Sequence, residues 1–390
     1  MQIILFKENV AIALANTEYR DTLFRGDTLN KPYRSHPQAV DYTKGSDITA
    51  KDRYGTNEQL TVDTIRVVPF YVDDIDRIQN KWDLASQYAQ DSQRLLNNEL
   101  DQAIASQVAN ADNYIDAGDV GGSAGSDISL STSNINLSFL AANRKLDTED
   151  APQAGRFALI GPRTLQVVRD YIAGKDTSMA DIVGANGKVG ERFGFEIYYS
   201  NNCYFTATLA MATNPSDGNT VTINGCVLEF KSTIANATAG YIGVLLDGSL
   251  VDTSRAALVA AINDSGTAGT TYTAQATGID EARWKLSKAG VVATNSNSLD
   301  TMTIVAYGDI VVSETLTASA DVWSSQRNSI MFGVKKATDL VLQKSPNVEF
   351  RIAEKRLGRF VYPWMLYGIK NFDDADKLLV QGRIDASGWS

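Results

Sequence analysis

The clearest periodic signal in the chain is helical and long. Between Asp73 and Ala111, Ile75, Ile78, Trp82, Ala85, Ala89, Leu96, Leu100, Ala103 and Gln107 recur mostly at steps of three, four or seven, and no glycine or proline intervenes before Gly118. About 36 residues at about 1.5 Å each predict a rod of about 50 Å. Asp73 or Asp74 is placed to cap it. A coiled coil is the ordinary reading of such a stripe. Ser92, Glu99 and Gln107 blur the seam, so the pattern favours a helix laid across a sheet as a spine.

The segment before it has a period of two. In "QLTVDTIRVVPFYV" (59–72), Leu60, Val62, Thr64 and Arg66 fall on one face and Thr61, Asp63, Ile65 and Val67 on the other. With polar "KGSDITAKDRYGTNE" and the turn formers Gly45 and Gly55, this predicts a long β-hairpin over 36–72. Neither face is apolar enough to bury itself against its own domain, so the hairpin needs a partner surface. Residues 1–35 are polar and weakly periodic, and read as an arm.

After the long helix comes a Gly/Ser-rich loop, then a helix whose stripe is Leu137, Leu140, Ala141 and Leu146. "GRFALIGPRTLQVVRDYI" reads as a buried strand, a break at Gly161-Pro162 and a helix carrying Leu165, Val168 and Ile172. "GKVGERFGFEIYYSNN" reads as a ramp in which Gly190 and Gly194 permit tight turns before a strand. From about Phe205 to Trp323 charge thins and Thr, Ala, Asn, Ser and Gly dominate, which predicts a small α+β module inserted into a host domain. Inside it, Asn224-Gly225 is a type I′ hairpin signal. Residues 252–266 read as a helix with an Asp or Thr cap and a glycine stop, and 280–288 and 300–312 as strands. The host then resumes with alternating strands, Pro363 marking a bulge or an edge.

Composition narrows the function. The chain has 390 residues, long enough for two or three domains, with 44% hydrophobic and 21% charged residues and a formal charge of -10. An acidic chain lacks the broad basic field of a dedicated nucleic-acid binder. No apolar run reaches the roughly 18 residues of a membrane span. The start lacks a basic n-region and reads as mature sequence rather than a signal peptide. Two cysteines, Cys203 and Cys226, fit a reducing compartment better than a disulfide scaffold. The single histidine, His36, stands before a proline with no partner motif; it reads as a loop residue, which weakens every triad, Cys-His or multi-His proposal.

The order of these pieces resembles the major capsid proteins of tailed bacteriophages, with the Hong Kong 97 capsid fold. "VDDIDRIQ", "GRFALIGPRTLQVV", "GERFGFEIYYSNN" and "YGIKNF" carry the resemblance locally. It implies an α+β chain with an N-terminal arm (1–35), an extended loop (36–72), a peripheral domain with its spine helix (73–115) and an axial domain (116–205). An insertion domain (206–324) and a return through axial and peripheral strands (325–390) complete it. The implied function is structural: hexamers and pentamers closing an icosahedral head around double-stranded DNA, with no catalytic residue, cofactor or metal. The implied partners are other copies of the chain, a scaffolding protein and portal, packaged DNA held non-specifically, and a decoration protein; no membrane is implied. An encapsulin-like compartment shell is the alternative on the same fold. A two-carboxylate hydrolase and a monomeric adhesin or decoration protein are the alternatives from other classes.

Among chemistry-bearing residues, Lys51, Asp52 and Arg53 sit at the expected loop tip and are candidates for inter-subunit ion pairs. Arg351, Lys355, Arg356 and Arg359 in "RIAEKRLGRF" are candidates for the same role; their ordinary reading is a strand edge blunted by charge. Gly184, Gly187, Gly190 and Gly194 lack the lysine and hydroxyl of a phosphate loop. Asp73, Asp74 and Asp76, and Asp373, Asp374 and Asp376, read as caps rather than metal ligands. The 206–324 module either faces outward to bind a glycan or decoration protein, or stabilises its own capsomer.

Overall fold

A computed structural model describes residues 7–19, 26–33, 39–47, 55–75, 84–175, 190–274, 279–352 and 357–389. In chain order the first strands are β1 (Thr28–Tyr33), β2 (Thr56–Thr61), β3 (Thr64–Val67) and β4 (Phe70–Asp73), followed by helix α1 (Leu84–Ser106) and β5 (Asn113–Ile115). Next come α2 (Ile135–Thr148), β6 (Arg156–Ile160), α3 (Pro162–Ala173), β7 (Glu191–Arg192), β8 (Phe195–Tyr199) and β9 (Tyr204–Ala210). Then follow β10 (Thr220–Ile223), β11 (Cys226–Lys231), β12 (Ile242–Leu245), α4 (Val251–Asn263), α5 (Asp280–Lys288), β13 (Val292–Ser296) and β14 (Thr301–Tyr307). The last elements are β15 (Val312–Glu314), β16 (Trp323–Val334), β17 (Asp339–Ile352), β18 (Gly358–Lys370), the single turn α6 (Asp373–Asp376) and β19 (Leu379–Asp385). No described helix is long and apolar enough to cross a membrane.

The chain forms two compact units. The smaller comprises Ala15–Asn97 and Lys336–Ala375; the larger comprises Met1–Leu14, Asn98–Lys335 and Asp376–Ser390. In the smaller unit, β1 and β2 pair antiparallel, with Thr28 opposite Thr61 and Tyr33 opposite Thr56. The stretch 59–72, expected as one strand of a hairpin, is divided among three strands. β2 pairs β1, whereas β3 and β4 pair β18. The division follows the sequence: Pro69 separates β3 from β4, and the break lies opposite Pro363 of β18, whose carbonyl takes the Val68 N–H. A proline in a central strand is tolerated here because the facing strand is interrupted. β17 closes the other side of β18 with register shifts between Leu342 and Asn347.

The expected helix is found from Leu84, and it gives way to a 3-10 turn at Gln107–Asn110 rather than running to Ala111. Its 23 residues span about 35 Å. Residues 76–83 lie outside the described residues. Within the smaller unit one face of the β18 sheet turns toward the helix: Phe70, opposite Val361, meets Tyr88 edge-on at 5.9 Å.

The larger unit is built on one nine-stranded sheet, and β16 is its seam. Along one edge β16 pairs β9 through Trp323–Asn328 and then β6 through Met331–Val334; along the other it pairs β19. The two halves of β16 serve different cores. Phe139, Phe195 and Phe332 anchor one, with α2 and α3 packed on it; Phe139 and Phe332 meet edge-on at 5.2 Å. Phe205, Leu228, Phe230, Leu258 and Ile304 anchor the other, drawn almost wholly from 205–323. That second region carries its own four-stranded sheet, β12-β11-β10-β15, yet its β9, β14 and β13 continue the host's sheet.

Local expectations within the larger unit meet mixed outcomes. Asn224 and Gly225 both have positive φ, 50° and 74°, and Ile223 pairs with Cys226, the type I′ turn expected. Phe193 and Gly194, at φ 50° and 79°, turn β7 into β8. Residues 280–288, expected as a strand, are helix α5. Here Ala282 and Leu286, four apart, are the buried pair, and a nine-residue window holds the two periods poorly apart. On α2 the buried face is Ile135, Phe139, Ala142 and Leu146; Leu137 and Leu140, expected in the stripe, are exposed. α4 is stopped by Asp264 at φ 51° rather than by Gly266, and it has no side-chain cap from Asp252 or Thr253. Cys203 and Cys226 are both free and buried.

Candidate assembly surface

In the smaller unit, the face of the β17-β18-β3/β4 sheet opposite Val361 and Met365 is lined by rings. Strand alternation sends Phe360, Tyr362 and Trp364 to this side, and residues directly across from them join them. Tyr71 and Phe360 lie 5.2 Å apart, and Phe360 stacks on Tyr362 at 6.0 Å. Ile65 and Val67 of β3, opposite Leu366 and Trp364, extend the patch and are 59% and 46% exposed. Full burial of either would contribute about 1.5–3 kcal/mol.

Polar groups fix the orientation of the rings. Trp364 donates its indole N–H to Glu349 at 2.9 Å, and Lys344 Nζ lies 5.4 Å above the same ring. Tyr71 donates its hydroxyl to the Leu357 carbonyl at 2.7 Å. Gly358 makes that approach possible: at φ 152°, a Cβ there would fall 2.4 Å from the Val72 carbonyl oxygen and 2.6 Å from the Tyr71 hydroxyl.

The sequence candidates distribute unevenly over this surface. Arg351 stands on the ringed face, its guanidinium 5.8 Å from the Tyr362 ring and 3.8 Å from Glu349. Arg359 pairs with Ile352 and so projects from the opposite face. The two do not form one basic patch, because a hairpin sends neighbours to alternate sides. Lys355 and Arg356, and the loop-tip residues Lys51, Asp52 and Arg53, lie outside the described residues, as does His36. In the described stretch 39–47, Val40 and Tyr42 are 68% and 62% exposed. Sequence reasoning singled out charges and missed the rings. The alternation of aromatics in "RFVYPWMLY" was legible, but which side would be covered was not.

In the same unit, an ion pair between the half-exposed Lys31 and the buried Asp339 ties β1 to β17. Asp339 is 1% exposed and accepts from Asn16 at 2.6 Å and from Lys31 at 3.0 Å, with Lys31 over the Phe372 ring at 4.5 Å. This cluster holds β1 to the sheet of β17. Asp73, expected as a cap, accepts the Ile75 N–H at 2.8 Å. Among the described residues no group of three or more His, Cys, Asp or Glu side chains is arranged to hold a metal ion.

No protein-family model and no curated protein sequence matches the chain. Solved structures do. The chain is similar over 98% of its length to a chain of Mycobacterium phage Che8, covering 93% of that chain at 16% identity with a TM-score of 0.57. It matches the capsid structure of the cyanophage P-SCSP1u over 98% of its length and 89% of that chain, at 14% identity and TM-score 0.53. It matches the asymmetric unit of the bacteriophage PhiM1 mature capsid with the same coverage, at 11% identity and TM-score 0.51. The chain has the α+β fold of solved phage capsid proteins, the fold that its resemblance to the Hong Kong 97 type implied.

Proposed function

We propose that this chain is the major coat subunit of a tailed-phage head, assembling as hexamers and pentamers into an icosahedral shell around double-stranded DNA. The observation that carries the reading is the match to capsid chains over 98% of the length. The ringed sheet face supports it, since a partner surface offers the burial that one copy of the face lacks.

On this reading 1–35 is the arm, although its Thr28–Tyr33 is the strand that pairs with β2. Residues 36–72 form the extended loop, 73–115 the spine of the peripheral domain and 116–205 the axial domain. Residues 206–324 are an insertion, whose own core and whose entry and exit on the paired strands β9 and β16 favour it. Residues 325–390 are the return. Lys51, Asp52, Arg53, Arg351, Lys355, Arg356 and Arg359 contribute inter-subunit pairs, individually weak and strengthened by repetition in a shell. A scaffolding protein, a portal and a decoration protein are its partners in assembly.

The test is deletion of 42–58 with sedimentation and circular dichroism as readouts. The reading expects a folded subunit that no longer sediments as shells or capsomers. Normal shells from the deletion would overturn the extended-loop assignment.

A further inference from the structure

A cleft of about 800 Å³ opens in the larger unit where α5 faces the loop after β14. Three of its lining side chains are lysines: Lys7, Lys285 and Lys288. Trp284, 37% exposed, forms part of the wall. The charges are unequally balanced. Lys285 has Glu281 3.7 Å away. The carboxylate of Asp309, the other acid in the cleft, is already engaged: it accepts the Arg163 N–H at the start of α3 at 2.9 Å and the Asn328 amide at 3.2 Å. Lys7 donates to a neutral acceptor, the Tyr307 carbonyl, at 2.7 Å. Among the described residues neither Lys7 nor Lys288 has an ion-pair partner.

We propose that this cleft binds a small phosphate-type anion, held by the Lys7 and Lys288 ammonium groups against the Trp284 ring. Its volume lies in the range of small-ligand sites. Lysine suits phosphate as a compact point charge that needs no fixed fork. The chain as a whole is acidic, at -10, so the cleft is a local feature and not a sample of a basic surface. The titration of Lys7 agrees with this. Its pKa is lowered to about 8, chiefly by burial, with the Lys288 charge adding to the lowering and Asp101 and Asp309 opposing it. The Cys203 thiol is itself pushed up by burial and stays neutral. An anion in the cleft would add to the countercharge that Asp101 and Asp309 bring to Lys7 and favour its ammonium form. This inference is independent of the coat-subunit reading.

The experiment is calorimetric titration of the full chain with inorganic pyrophosphate at pH 7. The proposal expects saturable binding at one site per chain, weakened at least tenfold by Lys7→Met and by Lys288→Met. The exposed lysine Lys175, outside the cleft, serves as control, and Lys175→Met should leave binding unchanged. Affinity should also fall as pH rises from about 7 to about 9, as Lys7 gives up its proton, and Lys7→Met should flatten that dependence. Lys288 is only half-buried, so its variant tests the site even if Lys7→Met fails to fold. Absence of saturable binding would overturn the proposal, as would equal weakening by Lys175→Met, which would mark diffuse charge attraction.

Discussion

The two cores on the nine-stranded sheet each enclose an arginine, and the two arginines do different work. Arg156, at the start of β6, bonds Asn143 at 2.8 Å, Asp147 at 2.6 Å, and the carbonyls of Ala151 at 2.9 Å and Pro152 at 3.0 Å. All its partners lie within 13 positions of it. Arg255, on α4, is wholly buried. It reaches the Met211 carbonyl at 2.6 Å and Asn295 at 2.7 Å, 44 and 40 positions away, besides the nearby Asp252. One arginine closes a local helix-to-strand corner. The other stitches the entry, the helix and the edge strand of the 205–323 region together. A buried guanidinium is costly unless its donors are satisfied, so each marks a place where chain path and polar satisfaction depend on each other.

The largest expected effect separates the regions. Arg255→Ala should cost about 3–5 kcal/mol through lost packing and unpaired carbonyl and amide groups. Hydrogen exchange should show β10 to β13 losing protection while β6, β8 and α3 keep theirs. Loss of protection in both regions at once would show that β16 makes them one cooperative unit.

Phe332→Ala, on the host side of the same strand, should cost about 3 kcal/mol by opening a cavity beside Phe139 and Phe195. A denaturation curve should shift in midpoint, with the host's amides exchanging first. Gly225→Ala should cost about 1–2 kcal/mol, because the alanine must hold φ near 74°; thermal melting of the variant against the parent reads it.

The smallest effect concerns the host loop after β5. Asp116 accepts the backbone N–H groups of Gly125 at 2.7 Å and Gly118 at 2.9 Å, and these bonds hold its carboxyl below the usual range. A depressed folded pKa contributes stability above the ordinary carboxylate range, lost as pH falls through the folded value. Asp116→Asn should therefore flatten the acid limb of a stability profile and leave the neutral region little changed in slope.

The same contrast between local and distant explains what the sequence made legible. The Asn224-Gly225 turn, the β6-to-α3 corner at Gly161-Pro162 and the helix from Leu84 to Ser106 are written in adjacent residues, and all three are found. What failed depended on partners far along the chain. Period-two alternation identified 59–72 as extended, but only pairing with β1 and β18 splits it into three strands in two sheets. Leu137 and Leu140 looked like core, yet the face of α2 is set by Phe332 and Phe195 across the sheet. The ringed face was overlooked for the same reason: aromatics alternating along β18 read alike whether a helix covers them or not. Charge drew attention to Arg351 and Arg359, and register places them on opposite faces.

The central claim is that many copies of this chain close into a shell. Electron microscopy of the purified full chain, alone and with lysate of its native infected source, tests it most directly. The account predicts closed icosahedral particles, or hexameric and pentameric rings. A monodisperse single subunit under both conditions would contradict it.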